Sequence, residues 1–247
     1  MVFAHRGGAA LRPENTMLAF DHGLACGADG LEFDVRLSRD GVVVVHHDAT
    51  LDRTTNGSGP LAARTADELA RLDAGHHFDG YRGAAGGIPR LDDVLRRHRD
   101  ARCIIELKVN DPALAHRTID AVRAAGAVDR VALGSFGTRV LRAARAYEPR
   151  IPTGASREET RLALYRSWVR WPVRRPKYQE FQVPEVSGST RVVSPRFVRY
   201  ARESGLAVNV WTVDDAIDMR RLMSWGVDGL ISDRPDIAVE VVRASAR

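Results

Sequence analysis

Leu31-Glu32-Phe33-Asp34-Val35 is the stretch on which the reading of the chain turns. With the two-residue period of a strand, Leu31, Phe33 and Val35 share one face and Glu32 and Asp34 the other. The apolar face packs on helices, and the two carboxylates then point together into the interior of a sheet. Uncompensated charge is costly there, so the pair needs a cation or a basic partner. Ile104-Ile105-Glu106-Leu107-Lys108 repeats the pattern and turns Glu106 and Lys108 to one side. Three carboxylates converging beside one lysine describe either a site for Mg2+ or Ca2+, which prefer oxygen ligands, or a structural salt-bridge cluster. Spacing alone leaves both open.

Outward from these two segments, short apolar runs alternate with longer amphipathic ones. Eight strands are expected, at Val2–His5, Leu31–Val35, Ile104–Lys108, Val131–Ser135, Ile151–Gly154, Phe181–Val183, Ala207–Thr212 and Gly229–Ser232. Helical patterns lie between them, among them Pro112–Ala125 and Asp215–Trp225, and capping boxes are expected at Thr65 with Glu68 and Ser156 with Glu159. Eight βα repeats in 247 residues predict an α/β fold, a (β/α)8 TIM barrel, as one domain over residues 1–247. About seventy residues separate the second and third barrel strands. They hold an extra strand, Val42–Val45, a polar loop at Thr54–Gly59, a short helix at Ala66–Leu72 and a glycine-rich loop at Gly80–Gly87. A small insertion after the second strand, about residues 48–90, is expected to wall part of the site, because loops on the carboxyl rim of a barrel carry function.

Composition narrows the partners. With 44% hydrophobic and 28% charged residues the chain can bury a core and keep a solvated surface. The net charge of +5 would favour anions, but the arginines are spread among acids, which argues against nucleic acid. No window of 18 apolar residues occurs and no leader pattern precedes His5, so a cytoplasmic protein without stable membrane association is expected. Cys26 and Cys103, in apolar contexts and without C-x-x-C spacing, are expected as buried free thiols.

Two histidines add chemistry. His5 ends the first strand and is followed by Arg6 and Gly7, a basic side chain and a turn that can approach an anion. His47 ends the extra strand, and Asp48 either orients its imidazole or belongs only to the turn that follows. His46 should face the other way and be structural. A histidine pair beside three carboxylates suits a phosphodiester, which needs one proton removed from the nucleophile and another given to the leaving oxygen.

His5-Arg6-Gly7, Pro13-Glu14-Asn15-Thr16, Glu32-x-Asp34, His47-Asp48, Leu51-Asp52-Arg53-Thr54-Thr55 and Glu106-Leu107-Lys108 together resemble the glycerophosphodiester phosphodiesterases. Ser135-Phe136, Trp211-Thr212-Val213, Gly226-Val227-Asp228-Gly229 and Ser232-Asp233-Arg234-Pro235 extend the resemblance over nearly the whole chain. The resemblance implies a barrel with a small insertion after the second strand and one divalent cation on Glu32, Asp34 and Glu106. It further implies acid–base roles for His5 and His47, phosphate contacts from Arg6 and Lys108, Asn15 near the site, and Trp211 lining the alcohol pocket. The expected reaction is hydrolysis of a small-molecule glycerophosphodiester to glycerol 3-phosphate and an alcohol, with His47 assigned as acid and His5 as base. A lysophospholipase D, or an inactive barrel used for binding, are the alternatives. A zinc amidohydrolase would want an H-x-H strand, which the sequence lacks.

Trp168 to Lys177, with two tryptophans among basic residues, reads either as helix packing followed by a solvated basic turn, the expected case, or as an interfacial patch for anionic lipid. A helix begun at the Ser156 cap is expected to run away from the catalytic rim and deliver this patch near the opposite face.

Overall fold

The computed structural model of the chain describes residues 1–79, 81, 85–169, 171 and 176–245. Most of the Gly80–Gly87 loop before Ala85, and much of the segment between Val169 and Pro176, lie outside the described residues. β1 (Val2–His5) is followed by α1 (Met17–Ala25), β2 (Gly30–Leu37) and β3 (Val43–Val45). A 3-10 turn at Leu61–Ala63, α2 (Ala66–Ala70) and α3 (Leu91–Arg97) lead to β4 (Arg102–Leu107). α4 (Pro112–Ala124), β5 (Val131–Gly134), α5 (Thr138–Tyr147) and α6 (Arg157–Trp168) carry the chain to β6 (Glu180–Pro184). A hairpin of β7 (Val186–Ser187) and β8 (Thr190–Arg191) precedes α7 (Pro195–Glu203), β9 (Ala207–Trp211), α8 (Ala216–Trp225), β10 (Gly229–Ser232) and α9 (Pro235–Ser245). Both capping boxes form as expected, at Thr65 and at Ser156.

The long parallel strands stand in the order β5-β4-β2-β1-β10-β9-β6, and β3 pairs with β2 outside this path. The expected strand Ile151–Gly154 is not one. It forms two single parallel bridges, Leu133 with Thr153 and Gly154 with Glu180. Pro152 has no N–H to donate, so no ladder can extend through it, although its carbonyl still accepts from Leu133 N at 3.0 Å. This reduced eighth stave spans the gap between β5 and β6, and the result is a nearly closed (β/α)8 barrel with a small insertion after the second strand.

The apolar alternation seen in β2 and β4 buries Leu31, Phe33, Val35, Ile105 and Leu107 against Phe20, Leu114 and Ile119 of the surrounding helices. A second shell of the same kind gathers Phe181, Val208 and Val210 with Phe197, Leu222 and Val239. Inside the barrel, Phe3, Ile104 and Ile231 form a small apolar floor with Trp211 above it. Gly30 makes room for that floor, since a Cβ there would come within 2.8 Å of the Phe3 ring. The segment after β3 has a core of its own, built on Val44, Leu51, Leu61, Leu69 and Ile88.

β3 runs antiparallel to β2 with Val45 opposite Val35, and so leaves β4 free to pair with the other edge of β2. That pairing sets Asp34 level with Glu106, and the β1–β2 register sets His5 level with Glu32. Cys103 is buried as expected, whereas Cys26 at the end of α1 is only partly covered. No helix among the described residues is long and apolar enough to cross a membrane.

Candidate active site

Alternation along β2 and β4 brings Glu32, Asp34 and Glu106 to the carboxyl end of the barrel. One carboxylate oxygen from each lies within 4.8 Å of the others. Glu32 and Asp34 are almost wholly removed from solvent, 6% and 1% exposed. The Lys108 ammonium sits between two of the acids, 3.3 Å from Asp34 Oδ1 and 3.2 Å from Glu106 Oε1. Arg6 Nε lies 3.4 Å from Asp34 Oδ2, and the Asn15 side-chain amide donates to the same oxygen at 2.9 Å. Arg6 and Asn15 both hold left-handed backbones, φ 51° and 58°, which cost of order 1–3 kcal/mol unless the surroundings impose them. Here Arg6 N donates to Glu32 O at 2.7 Å and Asn15 N to Arg6 O at 2.9 Å, so the β1–α1 loop is folded back over the acids.

Charge is unevenly shared within the cluster. Burial, reinforced by the charges of Asp34 and Glu106 and only partly offset by His5, pushes the Glu32 carboxyl up to about 8. Burial likewise raises Glu106, with Lys108 opposing it. Asp34 goes the other way: burial would raise it, but Lys108, Arg6, His47 and the Asn15 amide together hold it below its ordinary value. Two cations therefore satisfy Asp34 and part of Glu106, while Glu32 keeps its proton unless further positive charge is supplied. An all-oxygen donor set short of positive charge fits Mg2+ or Ca2+.

The histidines flank this cluster, and each has one ring nitrogen tied to a carboxylate. His5 Nδ1 is 2.7 Å from Asp233 Oδ1, which leaves Nε2 facing inward, 3.8 Å from Glu32. His47 Nδ1 is 2.5 Å from Asp48 Oδ1, and Arg36 Nε donates to the His47 carbonyl at 2.9 Å. Burial lowers the His5 pKa, but the Asp233 hydrogen bond and the Glu32 and Asp233 charges outweigh it and leave the group above its usual value. Burial, helped by Arg6 and Lys108, keeps His47 below its usual value despite Asp34 and Asp48. His46 turns away, as expected, and bonds Thr50 O through Nε2 at 3.0 Å.

Three residues of this site carry no role in the sequence-based reading. Asp233, just past the end of β10, is the partner of His5; its position on the rim of the last strand was the available signal. Glu14 receives both Arg6, at 2.9 Å, and Arg53, at 2.7 Å, and Arg53 reaches on to Asp48 at 2.6 Å. Arg6, Glu14, Arg53, Asp48 and His47 thus form one continuous chain of charge-assisted contacts around the mouth. Within it, against the pull of burial, the hydrogen bonds of Arg53 and His47 hold Asp48 far below the carboxylate range.

A cavity of about 800 Å³ opens from these groups. His5, Arg6, Glu32, His47, Glu106 and Lys108 line its inner end, and Trp211 lines its side, edge-to-face with Phe136 at 5.9 Å. Its outer end corrects one expectation. Arg157, Arg161, Leu164, Tyr165 and Trp168 of α6 lie on the same cavity wall, so the aromatic end of this helix is not delivered to the opposite face. These positions follow each other at three- and four-residue steps and form one stripe along the helix. The stripe faces the cavity because the Ser156 cap and the Arg145–Glu159 ion pair, at 2.7 Å, anchor the first turn of α6 against α5.

Known proteins share this architecture. The sequence model of the Glycerophosphoryl diester phosphodiesterase family matches residues 5–237. A glycerophosphodiester phosphodiesterase of Caldanaerobacter subterraneus subsp. tengcongensis is 33% identical over 248 residues, covering 98% of each chain. Another, from Bacillus altitudinis, is 32% identical and covers 97% of each. The crystal structure of a glycerophosphodiester phosphodiesterase from Agrobacterium tumefaciens superposes with a TM-score of 0.79 at 32% identity, over 97% of this chain and 98% of that one. With the match running from the first rim histidine into the last helix, and relatives of the same length aligned end to end, this chain belongs to the glycerophosphoryl diester phosphodiesterase family.

Proposed function

We propose that the protein hydrolyses glycerophosphodiesters to glycerol 3-phosphate and an alcohol, using one divalent cation, Mg2+ or Ca2+, held by Glu32, Asp34 and Glu106. The observation that carries the reading is the convergence of three carboxylates within 4.8 Å at the inner end of a cavity flanked by two carboxylate-tethered histidines. Glu32, Asp34 and Glu106 would hold the cation, and it would supply Lewis-acid polarisation of the phosphoryl oxygens.

The remaining work falls to side chains of the chain itself. Arg6 and Lys108 point into the cavity beside the acids and bind the non-bridging oxygens of the diester. Asn15 fixes the carboxylate of Asp34, and Trp211 gives the substrate a flat apolar wall. Because Asp233 and Asp48 hold the Nδ1 atoms, proton transfer runs through the Nε2 atoms of His5 and His47. One accepts the proton of the nucleophile and the other donates to the leaving oxygen; each step is worth roughly 10²–10⁴ in rate. A second reading, cleavage of lysophospholipids with release of the head-group alcohol, is favoured by Leu164, Tyr165 and Trp168 on the outer wall, which offer apolar surface to an acyl chain.

A 31P NMR survey of glycerophosphodiesters and lysophospholipids tests both readings. The protein is first chelated and then resupplied with Mg2+ or Ca2+. Turnover of glycerophosphodiesters should vanish on chelation and return with one of the ions. Turnover indifferent to chelation would overturn the metal, and faster cleavage of lysophospholipids would make the second reading the first.

A further inference from the structure

The outer half of the cavity has a charge of its own. Arg157 and Arg161 lie one helical turn apart on its wall, and neither forms an ion pair or a side-chain hydrogen bond with another described residue. The acids nearest in sequence are engaged elsewhere. Glu159 pairs with Arg145, and Glu158 accepts from Thr138, feeling Arg161 only through space. The carboxylates on the cavity wall are Glu32 and Glu106, both at the inner end among the described residues. The guanidinium of Arg157 stacks over the Phe136 ring, 4.9 Å from its centroid, and Phe136 in turn abuts Trp211. A trimethylammonium group would use such an aromatic face, but here a cation already covers it. Leu164 is buried, whereas Tyr165, Trp168 and both arginines are exposed, so the outer half is open to solvent and the field of the arginines there is sensitive to salt.

We propose that this outer half is a subsite for a leaving alcohol that carries a negative charge, with Arg157 and Arg161 as the residues that select it. The inference rests on the phosphodiesterase reading above and adds the class of diester preferred. Glycerol and phosphate fill only the inner end of an 800 Å³ space, so the substituent that projects along α6 meets two unpaired guanidinium groups and no carboxylate. Anionic alcohols gain there, and cationic ones are repelled from the wall that would otherwise hold them.

Three glycerol 3-phosphodiesters of similar size test it, with 4-hydroxybutanoate, 3,3-dimethylbutanol and choline as the alcohols. The last two are the same shape and differ in charge. kcat/KM is measured at low salt on the metal-loaded protein, and each ratio between substrates is compared between the wild type and R157Q/R161Q, which cancels the different reactivities of the alcohols. The double variant should lower the anionic-to-cationic ratio by about tenfold, the size expected of two partly exposed charge contacts. R161E alone should lower it as well, and 0.5 M NaCl should compress the wild-type ratio toward that of the double variant. Equal ratios in wild type and both variants, with all three diesters turned over, overturn the subsite and leave the phosphodiesterase reading standing. If the metal-loaded wild type turns over none of the three, the reading falls and the subsite with it.

Discussion

Glu106 and Glu180 are both carboxyl groups turned into the same barrel, one at its carboxyl end and one at the opposite end, and their surroundings differ in kind. Glu106 has two other carboxylates, a lysine and an arginine within its cluster. Glu180 has amides: Asn209 Nδ2 donates to Oε2 at 3.0 Å, and Gln182 Nε2 donates to the other oxygen. No cation pairs with Glu180 among the described residues. Burial raises both acids, but with opposite consequences. A carboxyl among neutral donors, with the like charge of Asp228 adding to burial, is settled by keeping its proton, whereas three acids that share one space offer the oxygen donors that a further cation would take. Glu106 lines the cavity and Glu180 does not, although Gln182 reaches its wall, and the lower cluster meets a glycine: a Cβ on Gly229 would fall 2.2 Å from Asn209 Oδ1. Burial of charge marks both ends, and only convergence with access marks a site.

The largest effects should come from breaking the upper cluster at the two histidines proposed to carry protons. His5→Ala and His47→Ala are each expected to lose about 10²–10⁴ in turnover of a glycerophosphodiester. One of them should keep much of its activity on a 4-nitrophenyl phosphodiester, whose phenolate leaves without a proton. That variant identifies the acid. Equal losses on both substrates for both variants, with metal content and folding unchanged, would make the pair phosphate ligands instead.

Glu106→Gln should cost on the order of 10²-fold in rate at limiting Mg2+ or Ca2+, with part of the loss recovered at high cation concentration. Calorimetric titration of the chelated protein should show the weaker binding directly. Unchanged affinity would move Glu106 out of the ligand set and into the salt bridge with Lys108.

The smallest effect belongs to the lower cluster and reads out in stability. Burial holds the folded Glu180 above the ordinary carboxyl value of 4.5, the Gln182 and Asn209 hydrogen bonds opposing only in part. The folded chain therefore binds more protons than the unfolded one above that pH, and the Glu180 contribution to stability is full below about pH 4.5 and falls as pH rises toward the folded value. Glu180→Gln keeps the shape and removes the ionisation. Its Tm should match the wild type near pH 4 and exceed it by a margin that widens toward pH 8, about 2–4 °C for each kcal/mol. Parallel Tm curves would show that Glu180 ionises inside the barrel at no cost, and the contrast between the two ends would disappear.

The upper half of this contrast is legible in the chain, whereas Glu180, just before the expected strand Phe181–Val183, carries no signal of its own. The two-residue alternation of Leu31 to Val35 and Ile104 to Lys108 depends only on the pleat of a strand, so it named the inward acids and their lysine without knowing their neighbours. Asp48, one residue from His47, was recognisable as a partner or a turn former, and the hydrogen bond at 2.5 Å makes it a partner. Apolar periodicity predicts a strand at Ile151–Gly154 because it does not register the missing N–H of Pro152. Asp233 was invisible as the partner of His5, since the two stand 228 positions apart.

The local part is therefore readable from the chain alone: which side of each strand carries charge, where helices are capped, and which residue types can take a proton or an oxygen-loving cation. These follow from backbone periods and side-chain chemistry that act over a few residues. Which distant groups share a space is settled only by the packing of the barrel. The β2–β4 register set Asp34 beside Glu106, closure of the barrel brought Asp233 to His5, and the anchoring of α6 on α5 turned the Arg157 to Trp168 stripe onto the cavity rather than away from it. Such contacts depend on strand order and helix orientation, which are set by the packing of the whole barrel and leave no signature at any single position.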